Sequence, residues 1–282
     1  MAGQTATELE DDALPVPRAA DAAEVLRVAA EATDRGARVA MATVIARRGS
    51  TPSTPGQKLV LTETGECAGT VGGGAIERAV LRALAEALLT PEGGRVESFK
   101  LGAELGMCCG GGVDVVVETL ASAVPALIVG AGHVGSALAP LLVRCGFCVT
   151  LVDDRERWAE RGEEAPRLKR VAGDFVFAGR SVPRRGVALA VTHDHQLDQR
   201  VIEWALKEKF AFVGGVGSRA KASRTRARLE AKGFCAADVA RVRMPLGVSI
   251  GARTPEEIAV SIVAELVAWR RGAERTREEP AR

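Results

Sequence analysis

The chain has 282 residues, enough for roughly two domains of the usual size of about 150 residues. Apolar residues make up 47% of it, which excludes a largely disordered protein. The 38 basic and 36 acidic side chains nearly balance, which excludes a general nucleic-acid binder. No run approaches the ~18 apolar residues of a membrane span, and the acidic N-terminus shows no secretory pattern. We therefore expect a soluble, cytoplasmic protein that binds neither nucleic acid nor membranes.

The first half of the sequence predicts an α/β domain over residues 21–121, preceded by a flexible tail over residues 1–20. Asp21 is positioned to cap a helix that runs to about residue 33, and Pro91 follows a second, amphipathic helix. Short apolar segments around these helices predict strands. The predicted strands cover residues 39–46, 58–62, 67–71, 96–100 and 113–118, and the second helix covers residues 75–89.

The second half predicts a Rossmann-like domain over residues 122–270, followed by a charged tail over residues 271–282. Apolar strands alternate with helices throughout this half, which is typical of a doubly wound parallel sheet with both faces covered. The predicted strands cover residues 126–129, 147–152, 187–192 and 210–213, and the helices end near residues 144, 207, 232 and 269.

A glycine fingerprint, GAGHVG, follows the first strand of this domain and opens a helix. Gly130 permits the tight turn, Gly132 lets backbone amides approach an anion, and Gly135 lets the helix lie against the sheet. Asp153, after the second strand, is positioned to accept from a ribose hydroxyl, whereas Arg155 favours a phosphate, so NAD and NADP both remain open. A Rossmann fold that no longer binds a nucleotide is the alternative.

The three histidines of the chain are predicted to surround the same crevice. His133 follows the first strand, and His193 and His195 follow the strand over residues 187–192, which a doubly wound sheet places beside the first. Asp194 and Asp198 lie close by in sequence. A metal site, a histidine-lined cofactor pocket and histidines that merely bond to strand ends are the three interpretations.

A basic segment, GGVGSRAK, follows the next strand. Ser218, Arg219 and Lys221 come just past the carboxyl end of that strand, where an anionic ligand of a parallel sheet would lie. The alternative is a solvated basic helix face.

Two further glycine-rich loops lie in the first half. Gly72, Gly73 and Gly74 directly precede a helix and predict an anion cradle of backbone amides, without the GK[ST] of an ATP-hydrolysing P-loop. Cys108 and Cys109, followed by Gly110, lie in the loop GMCCGGGVD. Exposed amides lower the pKa of a thiol, so a reactive or metal-binding thiolate is expected there, and the alternative is that one of the two cysteines is a small buried apolar residue.

The other four cysteines carry weaker signals. Cys145 and Cys148 match Cys-x-x-Cys but fall at a helix end and in a buried strand, so we expect them in the core. Cys67 and Cys235 remain unassigned. In a cytosolic chain of this size all six are expected to be thiols rather than structural disulfides.

Taken together, eight segments resemble the xanthine dehydrogenase accessory factor family of the XdhC/CoxI type, in order and over nearly the whole chain. They are GSTPSTPGQKLVL, GTVGGGAIE, GMCCGGGVDV, VGAGHVGSALAPLL, VDDR, THDHQLD, GGVGSRAK and RTPEEIAVSIVAEL. The resemblance implies an N-terminal XdhC/CoxI-type domain and a C-terminal Rossmann domain. It also implies a chaperone, not an enzyme, that binds molybdenum cofactor (molybdopterin) and protects it while a cysteine desulfurase adds the terminal sulfur.

The resemblance further implies that the chaperone inserts the cofactor into an apo molybdenum hydroxylase such as xanthine dehydrogenase. Cys108 or Cys109 would then approach the molybdenum, and we favour Cys109 because of the glycines that follow it. An NAD(P)- or other nucleotide-dependent oxidoreductase is the alternative function, and an interaction adaptor with a vestigial nucleotide site is a third. No catalytic residue is assigned, and a homodimer is expected.

Overall fold

A computed structural model of the protein describes residues 14–90, 93–100, 111–162 and 165–272. The chain divides into two compact units, Met1–Ala123 and Val124–Arg282. Across the described ranges, every helix is too short or too polar to cross a bilayer.

The N-terminal unit is a five-stranded antiparallel sheet with strand order β3-β2-β1-β5-β4 and two helices. Its elements are α1 (Ala22–Asp34), β1 (Val39–Arg48), β2 (Lys58–Thr62), β3 (Cys67–Gly69), α2 (Gly74–Leu89), β4 (Gly94–Lys100) and β5 (Gly112–Leu120).

Each helix covers one face of this sheet because successive strand residues point to opposite faces. Ala42 and Val44 of β1 pack with α2, which buries Ile76 and Leu84, whereas Met41 packs on the α1 side. Asp21 accepts the backbone N–H of Glu24 and caps α1, as the sequence predicted.

The segment before α1 differs from the flexible tail expected as far as residue 20. The N–H of Arg18 donates to the carbonyl of Cys67, and the N–H of Gly69 donates to the carbonyl of Arg18. Leu14 packs against the α2 side of the core. Two backbone hydrogen bonds thus attach this segment to β3, an interaction with no local sequence signal.

The C-terminal unit is a six-stranded parallel sheet with strand order β11-β10-β9-β6-β7-β8. Its strands are β6 (Val124–Val129), β7 (Phe147–Asp153), β8 (Leu168–Ala172), β9 (Val187–Ala190), β10 (Phe212–Gly215) and β11 (Val242–Arg243). Its helices are α3 (His133–Arg144), α4 (Glu156–Ala159), α5 (Phe175–Gly179), α6 (His195–Lys207), α7 (Arg219–Ala231), α8 (Ala236–Arg241) and α9 (Pro255–Arg270).

The predicted Rossmann-like sheet is confirmed, with β6 between β7 and β9. The strand order reverses at β6, so the carboxyl ends of β6 and β9 flank the switch point where such sheets bind ligands. Apolar clusters cover both faces of the sheet, with Leu127 and Val129 of β6 on one face and Ala126 and Ile128 on the other.

Candidate functional site

The glycine turn between β6 and α3 has the tight backbone that its sequence predicted. Gly130 has φ +111°, and a Cβ there would lie 2.7 Å from the carbonyl oxygen of Val191. A Cβ at Gly135 would lie 1.9 Å from the carbonyl oxygen of Gly130, whereas one at Gly132 would meet no heavy atom within 4 Å. The first-turn N–H groups of α3 lack intrahelical carbonyl partners, so the open side at Gly132 suits an anion.

Asp153, at the end of β7, is hydrogen-bonded to the glycine turn. Its side chain is almost wholly buried and accepts the N–H of Ala131 at 2.7 Å. Arg155 donates to both carboxylate oxygens, at 2.8 and 2.9 Å. Burial would raise the pKa of Asp153, but these hydrogen bonds outweigh it and hold the pKa below the ordinary value. The residues expected to meet a ribose and a phosphate therefore bind each other, and Asp153 accepts from a ribose only if Arg155 moves away.

The crevice beside Asp153 and Arg155 contains one of the three histidines, His193. Its described lining comprises Val129, Gly130, Val152, Asp153, Asp154, Arg155, Thr192, His193 and Leu197. His133 instead packs edge-on against Trp158, with ring centroids 5.3 Å apart, and His195 is the exposed first residue of α6. The structure therefore does not bring the three predicted histidines together: His193 lines the crevice, whereas His133 and His195 are exposed first residues of α3 and α6. Within residues the structure describes, no three His, Cys, Asp or Glu side chains form a metal-binding group.

The predicted anion-binding segment after β10 is largely engaged in internal contacts. Lys221 Nζ lies 2.5 Å from Oδ2 of Asp198, which is 1% exposed, and donates to the carbonyl of Val216. Oδ1 of Asp198 accepts the N–H and hydroxyl of Thr192. Lys221 is therefore not a free cation for a ligand. Instead, it links the start of α7 to Asp198 in the first turn of α6 and to Val216 just after β10.

The other two residues of that segment stay at the surface. Ser218 caps α7 by accepting the N–H of Lys221, and Arg219 is exposed. Arg219 is thus the one member of the predicted trio whose charge faces solvent. The role of Asp198 as the partner of Lys221 was missed, because the parallel sheet brings together the first turns of α6 and α7, and these two residues are 23 positions apart in sequence.

In the N-terminal unit, three connections leave the sheet at the same end. Arg48 pairs with Gly112, and Gly112 pairs with Lys100, so the β1–β2 and β4–β5 connections begin side by side. Gly69 pairs with Leu59 near the start of β2, so the β3–α2 connection also leaves from this end. The strand residues that flank the predicted glycine-rich loops of the first half therefore lie at the same end of the sheet.

The β1–β2 connection, residues 49–57, contacts the described parts of both other connections. A Cβ at Gly72 would lie 2.6 Å from the hydroxyl of Ser53, and one at Gly111 would lie 2.3 Å from the carbonyl oxygen of Ser50. Ser53 is fully buried and donates to the carbonyl of Val71 at 2.6 Å. Ser53 was not predicted, and only its place in the loop TPSTPG marks it in the sequence.

The three glycines at the start of α2 form a tight backbone turn that is open at its last two residues. Gly72, Gly73 and Gly74 have φ values of +124°, +74° and +62°, a left-handed run that other residues rarely adopt. Cβ positions at Gly73 and Gly74 meet no heavy atom within 4 Å. Glu77 braces the turn by accepting the hydroxyl of Thr70 at 2.5 Å. This geometry exposes peptide N–H groups at a helix start, as a phosphate cradle requires.

Four of the six cysteines lie in the described residues, and they differ in burial. Cys108, Cys109 and Gly110 lie outside the described residues. Cys145 and Cys148, expected in the core, are only half buried. Cys67 is buried, and burial, with a smaller contribution from Glu77, raises the pKa of its thiol to about 12.

We expect Cys67 to resist alkylation in the native protein at pH 8, while exposed Cys235 reacts. Because its native pKa exceeds the unfolded value of ~8.5, the folded state retains the thiol proton. The corresponding stabilisation is present below about pH 8.5 and is lost as the pH rises towards 12. Peptide mass spectrometry after iodoacetamide treatment measures the modification, and equal labelling of both cysteines would contradict the burial of Cys67.

The fold and the glycine turns define a two-domain α/β protein whose second unit is of Rossmann type. A family model described as the XdhC Rossmann domain matches residues 126–266, half of the chain. A second model, the XdhC and CoxI family, matches residues 32–100. The chain belongs to the XdhC and CoxI family.

Several known proteins are similar to this chain. "Uncharacterized protein YqeB" of Escherichia coli is 29% identical over 85% of this chain and 45% of its own length. A probable xanthine dehydrogenase component from Bacillus subtilis is 31% identical over 51% of this chain and 42% of its own length. The chain thus spans less than half of either protein.

Two more similarities cover most of the chain. "Molybdenum cofactor insertion chaperone PaoD" of Escherichia coli is 23% identical over 87% of this chain and 88% of its own length. A crystal structure from Bacillus halodurans, described as a xanthine dehydrogenase, is 19% identical with a TM-score of 0.47. The match covers 90% of this chain and 98% of the Bacillus halodurans chain.

Proposed function

We propose that this chain is a chaperone that binds molybdenum cofactor, protects it during sulfuration by a cysteine desulfurase, and delivers it to an apo molybdenum hydroxylase of the xanthine dehydrogenase type. Membership of the XdhC and CoxI family supports the proposal. The similarity to a molybdenum cofactor insertion chaperone along 87% of the chain supports it further.

The observation that carries this proposal is the meeting of three connections at one end of the N-terminal sheet. The turn at Gly73 and Gly74 has open space beside it at the start of a helix, where peptide N–H groups suit the phosphate of the cofactor. Arg47 and Lys58 belong to the strand ends beside the 49–57 connection, where positive charge favours an anion. These features support the binding of a phosphorylated guest at this end of the sheet.

When bound, the cofactor supplies a molybdenum centre with a dithiolene and a labile terminal sulfur. We assign the thiol that meets this centre to Cys108 or Cys109, beside Gly110, and favour Cys109. Lys100 and Gly111, which flank that loop, lie at the same sheet end as the glycine turn. A thiolate near peptide N–H groups is stabilised by them, which suits it to contact the metal or its sulfur.

The test is retention of cofactor by the purified full chain. We expect the wild-type protein, mixed anaerobically with released cofactor and filtered, to retain molybdenum and pterin stoichiometrically. The double variant Cys108→Ala/Cys109→Ala should retain only background amounts. Cys235→Ala is the matched control, because it removes an exposed thiol from the other unit and should leave retention unchanged.

The same analysis of what the protein retains distinguishes the alternative functions and site residues. Wild-type protein that retains neither molybdenum nor pterin contradicts the chaperone proposal. Retention by the double variant equal to that of Cys235→Ala contradicts the assigned thiols. A nucleotide retained without molybdenum or pterin supports the oxidoreductase alternative, with Gly130, Gly132 and Gly135 around the phosphates and Asp153 and His193 lining the crevice.

A further inference from the structure

Helix α9 has apolar residues around most of its circumference, although only one side packs on the core of its unit. Ala259, Ile262 and Leu266 are fully buried against the sheet. A second apolar face carries Val260, which is 51% exposed, and Ala264, which is exposed. A helix that is apolar all round is normally covered on every side, so this second face is suited to an interface.

This second face lines a groove together with helix α3. The groove is lined by Leu141 and Cys145 of α3 and by Val260, Val263, Ala264, Val267, Ala268 and Arg271 at α9. The α9 residues recur at helical spacing along one stripe. Small side chains at Ala264 and Ala268 leave room for another helix to approach closely.

The ends of the same stripe carry opposite charges. Glu256 lies four residues before Val260, and Arg271 lies three residues after Ala268, so both fall on the stripe; both side chains are exposed. They are separated by about 22 Å along the helix at 1.5 Å per residue. Their midpoint falls between Val263 and Ala264, in the centre of the groove.

A two-fold axis at that midpoint makes the stripe complementary to itself. It places Glu256 of one copy against Arg271 of the other, Val260 against Val267, and Val263 against Ala264. Such isologous pairing buries the apolar centre and sets an ion pair at each end. We propose that α9 and α3 form the interface of a homodimer in which the two α9 helices pack antiparallel.

The C-terminal residues 273–282 are unsuited to fill this groove, because they contain no Val, Leu, Ile, Met or aromatic residue. A second copy supplies both the apolar surface and the charges in matching positions. The interface is independent of the proposed cofactor site, since all of its residues belong to the C-terminal unit.

Sedimentation velocity over a concentration series tests the dimer. Wild-type protein should sediment as a dimer, and Ala264→Arg should raise the dissociation constant by more than about 100-fold, because it brings two charges and two bulky side chains together at the axis. Ala227→Arg, at an exposed alanine of α7, is the control and should leave the dimer intact. A monomeric wild type, or a dimer that Ala264→Arg does not weaken, overturns the proposal.

A charge swap tests the antiparallel register. Glu256→Arg and Arg271→Glu should each weaken the dimer roughly tenfold, since each creates like-charge contacts at both ends. The double variant Glu256→Arg/Arg271→Glu should recover most of the wild-type affinity. Single variants without effect, or a double variant no tighter than the singles, would show that these residues do not face each other and would overturn this pairing.

Discussion

Replacing Lys221 with methionine is expected to lower the free energy of unfolding by about 3 kcal/mol, because it leaves the carboxylate of Asp198 buried without its cation. The substitution keeps the length and apolar stem of the lysine, so the lost charge is the main change. Asp198 would keep only its hydrogen bonds from Thr192. Urea denaturation followed by circular dichroism measures the change.

Lys232→Met is the matched control for this prediction. Lys232 pairs with Glu203, but its side chain is 56% exposed, so its loss should cost less than about 1 kcal/mol. Adding Asp198→Asn to Lys221→Met should restore part of the stability, because an amide needs no cation. Equal destabilisation by the two lysine variants would mean that burial does not strengthen the Lys221–Asp198 pair.

The Gly135→Ala substitution is expected to destabilise the protein by about 3 kcal/mol, despite the better helix propensity of alanine. Its Cβ would lie 1.9 Å from the carbonyl oxygen of Gly130, a backbone atom that moves only if the turn itself deforms. Gly132 lies three residues before Gly135, but a Cβ at this position would meet no heavy atom within 4 Å. Gly132→Ala should therefore lower the free energy of unfolding by less than about 1 kcal/mol.

Thermal unfolding of the two glycine variants, side by side with wild type, measures this difference. Gly135 is required because a side chain there would clash with the turn, whereas a side chain at Gly132 would point into open space. Comparable losses in both variants would contradict the close contact between α3 and the glycine turn.

The main elements of the fold were predictable from the sequence because their signals are local. The strand Lys58–Thr62 has the bounds that its apolar run predicted, and α9 begins one residue after the predicted cap, Thr254. The short elements β8 and β11 were missed. A strand of two residues such as Val242–Arg243 has no periodicity and forms only because β10 provides a partner.

The candidate site was less predictable, because residue type does not determine which partner a side chain chooses. Asp153, Arg155 and Lys221 were each identified as polar groups at or just past strand ends; in the structure, Asp153 ends β7, Arg155 precedes α4 and Lys221 lies in the first turn of α7. Their bonding to Ala131, to each other and to Asp198 depends on distances across loops, which spacing in one chain does not encode. The glycine positions were more informative, because a turn restricts the backbone locally.

The 49–57 connection has a thermodynamic consequence for any guest at its end of the sheet. Its Ser53 touches the turn at Gly72, and its Ser50 touches Gly111, so one segment restrains two otherwise separate backbones. A guest that orders the first backbone reduces the conformational entropy still to be lost by the second. If one guest contacts both backbones, the ordering cost is shared between them, and each contact would then strengthen the other by the same factor.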